Sequence, residues 1–150
     1  AAGSFVKRWG TTGKTGRSAG EFTYPTDVAL GKDGALYVAD GYGNRVQVFD
    51  AGGDFLHKWG GPFALGLYGP FKGWFTTATS IAIGPEGNVF VADFYNDRIQ
   101  KFAADGGYLT AFGSEPENPG HTAMAVAVCH DGAVWSVNCA DSRVGRWQPD

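Results

Sequence analysis

Three stretches of this 150-residue chain repeat one another, and no other feature limits the possible folds as sharply. DVALGKDGALYVADGYGNRVQVF (27–49), SIAIGPEGNVFVADFYNDRIQKF (80–102) and AVAVCHDGAVWSVNCADSRVGRW (125–147) align without a gap. Each opens with a short apolar strand, strand A, and a polar turn ending in Gly34, Gly87 or Gly132. A second strand, B, leads to a turn that closes on Arg45, Arg98 or Arg143, and a third, C, alternates apolar and polar residues. The first two units continue into a fourth strand, D, at Phe55–Trp59 and Tyr108–Phe112. Four antiparallel strands in roughly 45 residues is the pattern of one propeller blade.

The sequence therefore predicts an all-β chain, a β-propeller of four-stranded antiparallel blades with three blades in the chain: 22–60, 76–113 and 121–150. Composition fits this reading. The 24 glycines, about twice the average share and without a collagen period, supply many tight turns. No candidate helix exceeds a turn, and no apolar run approaches the ~18 residues of a membrane-spanning helix.

The Asp-Gly or Glu-Gly turn, Val38-Ala39-Asp40 and Val91-Ala92-Asp93, then Asn44-Arg45 or Asp97-Arg98 before a Val-Gln or Ile-Gln strand, resemble the NHL-repeat family. The third unit departs from that pattern, with Asn138 in place of the Asp and Cys139-Ala140 in the turn. The resemblance implies a propeller, commonly of six blades. Three blades cannot close a ring, so half of the expected ring is unaccounted for.

The termini bear on the missing half. The third unit has no fourth strand, while AAGSFVKRWG reads as a fourth strand with no blade before it. Joined end to end, GRWQPD and AAGSFVKRWG match QVFDAGGDFLHKWG and place Phe5 and Trp9 on Phe55 and Trp59. One arrangement is a homodimer in which residues 1–10 of each chain complete the third blade of the other. The other is half of a longer six-bladed protein. The first residue is Ala, which fits a processed, extracytoplasmic form as well as part of a longer chain.

The strand order places the B–C turns and the long D–A loops on one face of the propeller, where binding residues are expected. Candidate ligand contacts there are Lys14, Arg17, Tyr42, Asn44, Tyr68, Trp74, Tyr95 and His121. Loop 60–78 is rich in apolar residues (Phe63, Leu65, Leu67, Tyr68, Phe71, Trp74 and Phe75) and needs cover from its own blade tops, a partner or a ligand. Lys14 and Arg17 suit a carboxylate or phosphate. Gly13-Lys14-Thr15 is not a phosphate loop, because Arg8 stands where the pattern requires Gly and no helix follows. A net charge of −3, with only Lys14, Arg17 and Lys72 as cations on this face, argues against nucleic acid as the ligand. Protein, peptide and small-molecule ligands fit better.

Asp27 is the one charged residue expected near the ring axis. It either caps a turn in a water-filled channel or helps to hold a Ca²⁺-like cation. The Asp40…Arg45 and Asp93…Arg98 pairs recur blade after blade, as turn braces do and sites rarely do.

Pro25-Thr26-Asp27-Val28-Ala29 and Asp40-Gly41-Tyr42 also resemble a blade of the peptidyl-α-hydroxyglycine α-amidating lyases. That resemblance implies a catalytic role for Tyr42 and a channel zinc held by histidines just before strand A. The corresponding positions are Thr26, Thr79 and Met124, none of them an ordinary zinc ligand. His121 lies three residues from that column, His57 on an outer strand and His130 in an opposite-face turn. No cofactor is expected on this count, with Ca or Zn as alternatives. Gly16-Arg17-Ser18-Ala19-Gly20 has the Gly-X-Ser-X-Gly spacing, but no helix follows it, so it is not a nucleophile elbow, and a Cys-X-X-Cys pattern is absent from the sequence. Cys129 and Cys139 fall about 15 Å apart across one hairpin, too far for a disulfide, and leave Cys139 as a possible reactive thiol. The sequence thus offers a non-enzymatic binding scaffold first, and a metal-assisted lyase or hydrolase second.

Overall fold

A computed structural model describes residues 3–10, 14–113, 123–139 and 142–148. The described residues form three antiparallel sheets and no helix beyond two 3-10 turns, Pro62–Ala64 and Phe94–Asn96. Blade 1 contains β1 (Pro25–Leu30), β2 (Leu36–Asp40), β3 (Arg45–Phe49) and β4 (Phe55–Trp59). Blade 2 contains β5 (Ala78–Ile83), β6 (Val89–Asp93), β7 (Arg98–Phe102) and β8 (Tyr108–Phe112). Blade 3 has three strands, β9 (Ala125–Val128), β10 (Val134–Asn138) and β11 (Arg143–Trp147), so β11 forms its outer edge.

The repeat is reproduced in backbone detail. Gly34, Gly87 and Gly132 close the A–B turns at φ of 81°, 88° and 84°, a region that costs other residues strain. Asn44, Asp97 and Ser142 close the B–C turns in the left-handed region at φ of 50°, 53° and 60°. Short polar side chains tolerate that conformation best. β1 and β5 carry the same bulge, at Thr26 and Thr79, where the register skips from Pro25 to Asp27 and from Ala78 to Ser80.

Packing follows from the two-residue period of a strand. Val89 and Val91 of β6 face blade 1 and pack with Tyr37, Val46, Val48 and Phe102. Phe90 and Ala92, which alternate with them in sequence, face blade 3 and pack with Ile99, Val126 and Val134. A strand sandwiched between two neighbours must be apolar on both sides, which explains the unbroken Val-Phe-Val-Ala run. β10, Val-Trp-Ser-Val-Asn, is also largely apolar but packs against a blade on one side only. Val134 and Ser136 are buried there, while Trp135 and Val137 remain exposed. Residues 3–10 form no strand within the chain and lie against the turn after β3.

Candidate ligand-binding face

The long loops on this face are held by a buried device that occurs once per complete blade. Asp40, at the end of β2, is fully buried and meets Arg45 Nε at 3.0 Å. The Arg45 guanidinium then donates to the carbonyls of Gly16, Arg17 and Glu21 in the preceding loop. Gln47 donates to Glu21 O and accepts from Gly20 N. Thr23 N donates to Asp40 Oδ1 at 2.7 Å. Blade 2 repeats the device one repeat later. Arg98 Nε meets Asp93 at 2.8 Å and its terminal nitrogens hold Pro70, Phe71 and Trp74 carbonyls. Gln100 bonds Trp74 O and Gly73 N, and Thr76 N bonds Asp93.

A planar guanidinium with five donors is well suited to gathering several carbonyls at once. Burial pushes the Asp40 carboxyl above its usual range, opposed by the Thr23 amide and by Arg45. Burial pushes the Asp93 carboxyl up as well, against the Thr76 amide, Asn96 and Arg98. The sequence reading of these pairs as braces stops at the turn. The structure extends the brace into the loop, where Arg holds the backbone that carries the exposed side chains.

The inner rim is stitched blade to blade. Thr26 Oγ1 donates to Ala78 O at 2.8 Å, and Thr79 Oγ1 to Ala123 O at 3.3 Å. Ser80 Oγ and Ile81 N both donate to Asp27 Oδ2, while Val28 N donates to Oδ1. The column that the lyase resemblance reserves for histidines is thus occupied, in two of three blades, by hydroxyls that join neighbouring blades. Among the described residues no three His, Cys, Asp or Glu side chains cluster to hold a metal ion.

On this framework stands an aromatic surface. Tyr42 is 58 % exposed in the first B–C turn and packs against Tyr24 with ring centroids 5.1 Å apart. Tyr95, at the equivalent position of blade 2, is also exposed and meets Phe94 edge-on. In the loop between the blades, Phe63, Leu65, Leu67, Tyr68 and Phe71 are exposed. That loop divides its apolar residues, because Phe75 and Ala64 are buried and Trp74 is half-buried with its ring on Phe71. Lys14 and Arg17 are exposed on the loop of blade 1. Asn44 is buried: its side chain accepts from Thr77 N and donates to Gly66 O, tying blade 1 to the next loop. His121 lies outside the described residues. Tyr24 was not anticipated from sequence; its place directly before Pro25 and the bulged start of β1 is the signal that could have marked it. Cys129 and Cys139 are both exposed and unbridged. A cleft of about 370 Å³ on the opposite face, lined in part by Phe90, Lys101, His130 and Asp131, follows the seam between blades 2 and 3.

Four-stranded antiparallel blades packed face to face, with loops gathered at one end, define a β-propeller. Residues 22–49 and 75–102 match the NHL repeat family, so the chain carries two NHL repeats. It is 36% identical over 120 residues to peptidyl-glycine alpha-amidating monooxygenase B of Xenopus laevis, a match covering 78% of this chain and 13% of that protein. It is also 36% identical over 91 residues to a probable peptidyl-alpha-hydroxyglycine alpha-amidating lyase of Caenorhabditis elegans, covering 59% of this chain and 25% of that one. The chain therefore spans a quarter or less of these relatives. Among solved structures it superposes on the WD40 propeller domain of Doa1 with a TM-score of 0.58 at 12% identity, covering 77% of this chain and 33% of that one. Virginiamycin B lyase of Staphylococcus aureus superposes with a TM-score of 0.57 at 16% identity, covering 85% and 42%. These superpositions concern the fold alone.

Proposed function

We propose that the chain is a non-enzymatic NHL propeller unit whose loop face binds short peptides, preferring an apolar or aromatic side chain next to a free carboxylate. The observation that carries this reading is the exposed set Tyr24, Tyr42, Tyr68, Phe71 and Tyr95, mounted on loops and turns that Arg45 and Arg98 fix from beneath. An exposed aromatic patch on a rigid backbone loses little entropy on binding. Lys14 and Arg17 are exposed on the blade 1 loop and are suited to pair with a carboxylate.

A second reading has specific support. Two relatives carry amidating names, one of them a probable lyase of peptidyl-α-hydroxyglycine, and Tyr42 occupies the position that resemblance assigns to catalysis. In that reading the same face would break the N–Cα bond of a peptidyl-α-hydroxyglycine, the hydroxyl proton passing to the amide nitrogen, to give the peptide amide and glyoxylate.

One experiment addresses both. The chain is titrated with a tripeptide ending in Phe, and with the same peptide extended by α-hydroxyglycine, while mass spectrometry follows peptide amide. Saturable binding that weakens tenfold or more in Tyr68→Ser, without amide formation, supports the scaffold. Catalytic amide formation supports the lyase. Binding of neither peptide overturns the proposal.

A further inference from the structure

The two junctions between blades use equivalent positions and fill them differently. Where blade 1 meets blade 2, Ala35, Tyr37 and Val48 belong to the apolar core and are 4%, 5% and 1% exposed. Tyr37 crosses the junction and donates its hydroxyl to Ala104 O at 3.4 Å, while its ring meets Trp59 edge-on. Where blade 2 meets blade 3, the equivalent residues are Asn88, Phe90 and Lys101. Phe90 has no hydroxyl with which to cross, and Phe112 stands in the place of the larger Trp59. On the facing blade, His130 and Gln148 replace Pro85 and Ala103. The cleft of about 370 Å³ on the face opposite the long loops opens among these exchanged residues.

The exchanges give the cleft a definite chemistry. Packing does not favour a lysine at a position where the preceding repeat buries a valine. Lys101 is half-buried there, its ammonium 5.7 Å from the centroid of the Phe90 ring, and it is the one lysine or arginine among the described residues lining the cleft. Asn88, also half-buried, adds an amide, and His130 an exposed imidazole. The acids stand at the solvent edge. Glu86 and Asp131 are both exposed, and Asp131 accepts from Ala133 N at 3.0 Å and meets Arg146 at 3.4 Å. At Gly84, Pro85 and His130 the cleft adjoins a second one of about 270 Å³, whose walls include the apolar side chains of Leu30, Ile83 and Val128. Lys32 lies on that second cleft and donates to Pro85 O.

We propose that the seam between blades 2 and 3 is a binding site for a small organic carboxylate with a short apolar tail. The carboxylate pairs with Lys101 in a charge-assisted hydrogen bond and accepts from the Asn88 amide. The tail runs past Pro85 against Ile83 and Val128. Both clefts together have the size of a small-molecule site, about 300–1,000 Å³. A half-buried ammonium with acids only at the edge favours a ligand that enters negative end first, and disfavours amines, which would bring a second cation to Lys101. The site shares no residue with the aromatic loop face and does not depend on what binds there.

Titration of the purified, nitrogen-15-labelled protein with hexanoate, hexylamine and hexanol, followed by amide chemical shifts, tests this. Hexanoate is expected to saturate with a Kd of about 1 mM or tighter, and the amine and the alcohol to bind about tenfold more weakly or worse. The shifts should move at Asn88, Phe90, Lys101 and Gly132. Lys101→Val copies the residue of blade 1 and is expected to weaken hexanoate binding about tenfold or more. Lys101→Met keeps the length of the side chain without its charge and should do the same. Tyr68→Ser should leave hexanoate binding unchanged, which separates this site from the loop face. The proposal is overturned if hexanoate does not saturate, if hexanol binds equally well, or if either Lys101 variant binds hexanoate as the parent does.

Discussion

Ser80 donates its hydroxyl to Asp27 Oδ2 at 2.7 Å across the first blade junction, and Ile81 N donates to the same oxygen at 3.0 Å. At the next junction Ser80 Oγ accepts from Val126 N at 3.2 Å. One line of polar contacts therefore links the innermost strands of all three blades. Asp27→Ala removes the acceptor of three donors, Ser80 Oγ and Ile81 N in the partly buried seam and the more exposed Val28 N, which should cost about 1–3 kcal/mol. Asp27→Asn keeps an acceptor oxygen and should cost less. Urea denaturation midpoints read both; an alanine variant as stable as the parent would contradict the assignment.

The same contacts bear on cations. Three donors already engage the Asp27 carboxylate, one at Oδ1 and two at Oδ2. Dialysis against EDTA is expected to leave the thermal midpoint unchanged. A fall of several degrees, restored by Ca²⁺ or Zn²⁺, would give Asp27 a metal instead.

Arg45 and Arg143 occupy the same repeat position and should respond very differently to mutation. Arg45 is buried against an equally buried Asp40, so Arg45→Ala strands a carboxylate and several loop carbonyls. A loss of about 3–5 kcal/mol is expected, as for other buried pairs deprived of one partner. Arg45→Lys should recover only part of it, because one ammonium cannot span the same carbonyls. Arg143 is exposed, and the third unit has Asn138 and Gly145 where the others have Asp and Gln. Arg143→Ala is expected to cost about 0.5 kcal/mol or less. Midpoints of the three variants under one condition make the comparison.

Much of this was legible in the sequence, and for a definite reason. Glycine turns, alternating strands and the Asp…Arg spacing are local consequences of chemistry, so three aligned copies announce the blades and two of them the turn braces. Asn44 shows where that legibility ends. Its type and loop position suggest a ligand contact, yet its amide is spent on Thr77 N and Gly66 O, 33 and 22 residues away. Thr26 and Thr79 look like vacant ligand positions until the neighbouring blade is in place. Contacts between repeats leave no mark within a repeat, so the stitching and the loop clamps required coordinates. Tyr24 became visible only through its packing on Tyr42.

Tyr42 and Tyr95 offer a test of chemistry against shape. Both are exposed and hold equivalent places in successive turns, so a role in binding an aromatic patch is open to either. A role as a proton-transfer group is peculiar to Tyr42. In the lyase reading Tyr42→Phe lowers amide formation about 10²–10⁴-fold while Tyr95→Phe changes it less than about twofold. In the scaffold reading both variants bind peptide as the parent does, since the ring remains. Steady-state rates and titrations of the two variants distinguish these outcomes.

Asn44 supports the face rather than meeting the ligand, and its substitution should show it. The residue sits at φ of 50°, where Ala is strained, and its side chain satisfies Thr77 N at the start of blade 2. Asn44→Ala therefore combines a left-handed penalty of about 1 kcal/mol with an unpaired amide costing about 1–3 kcal/mol. Asn44→Gly relieves the first term and retains the second, so it should be the more stable of the two. Hydrogen exchange is expected to rise across residues 61–77 in both variants and to stay unchanged in β10, which lies beyond blade 2. If exchange in that loop does not change while peptide binding is lost, Asn44 contacts the ligand directly, as the sequence alone implied.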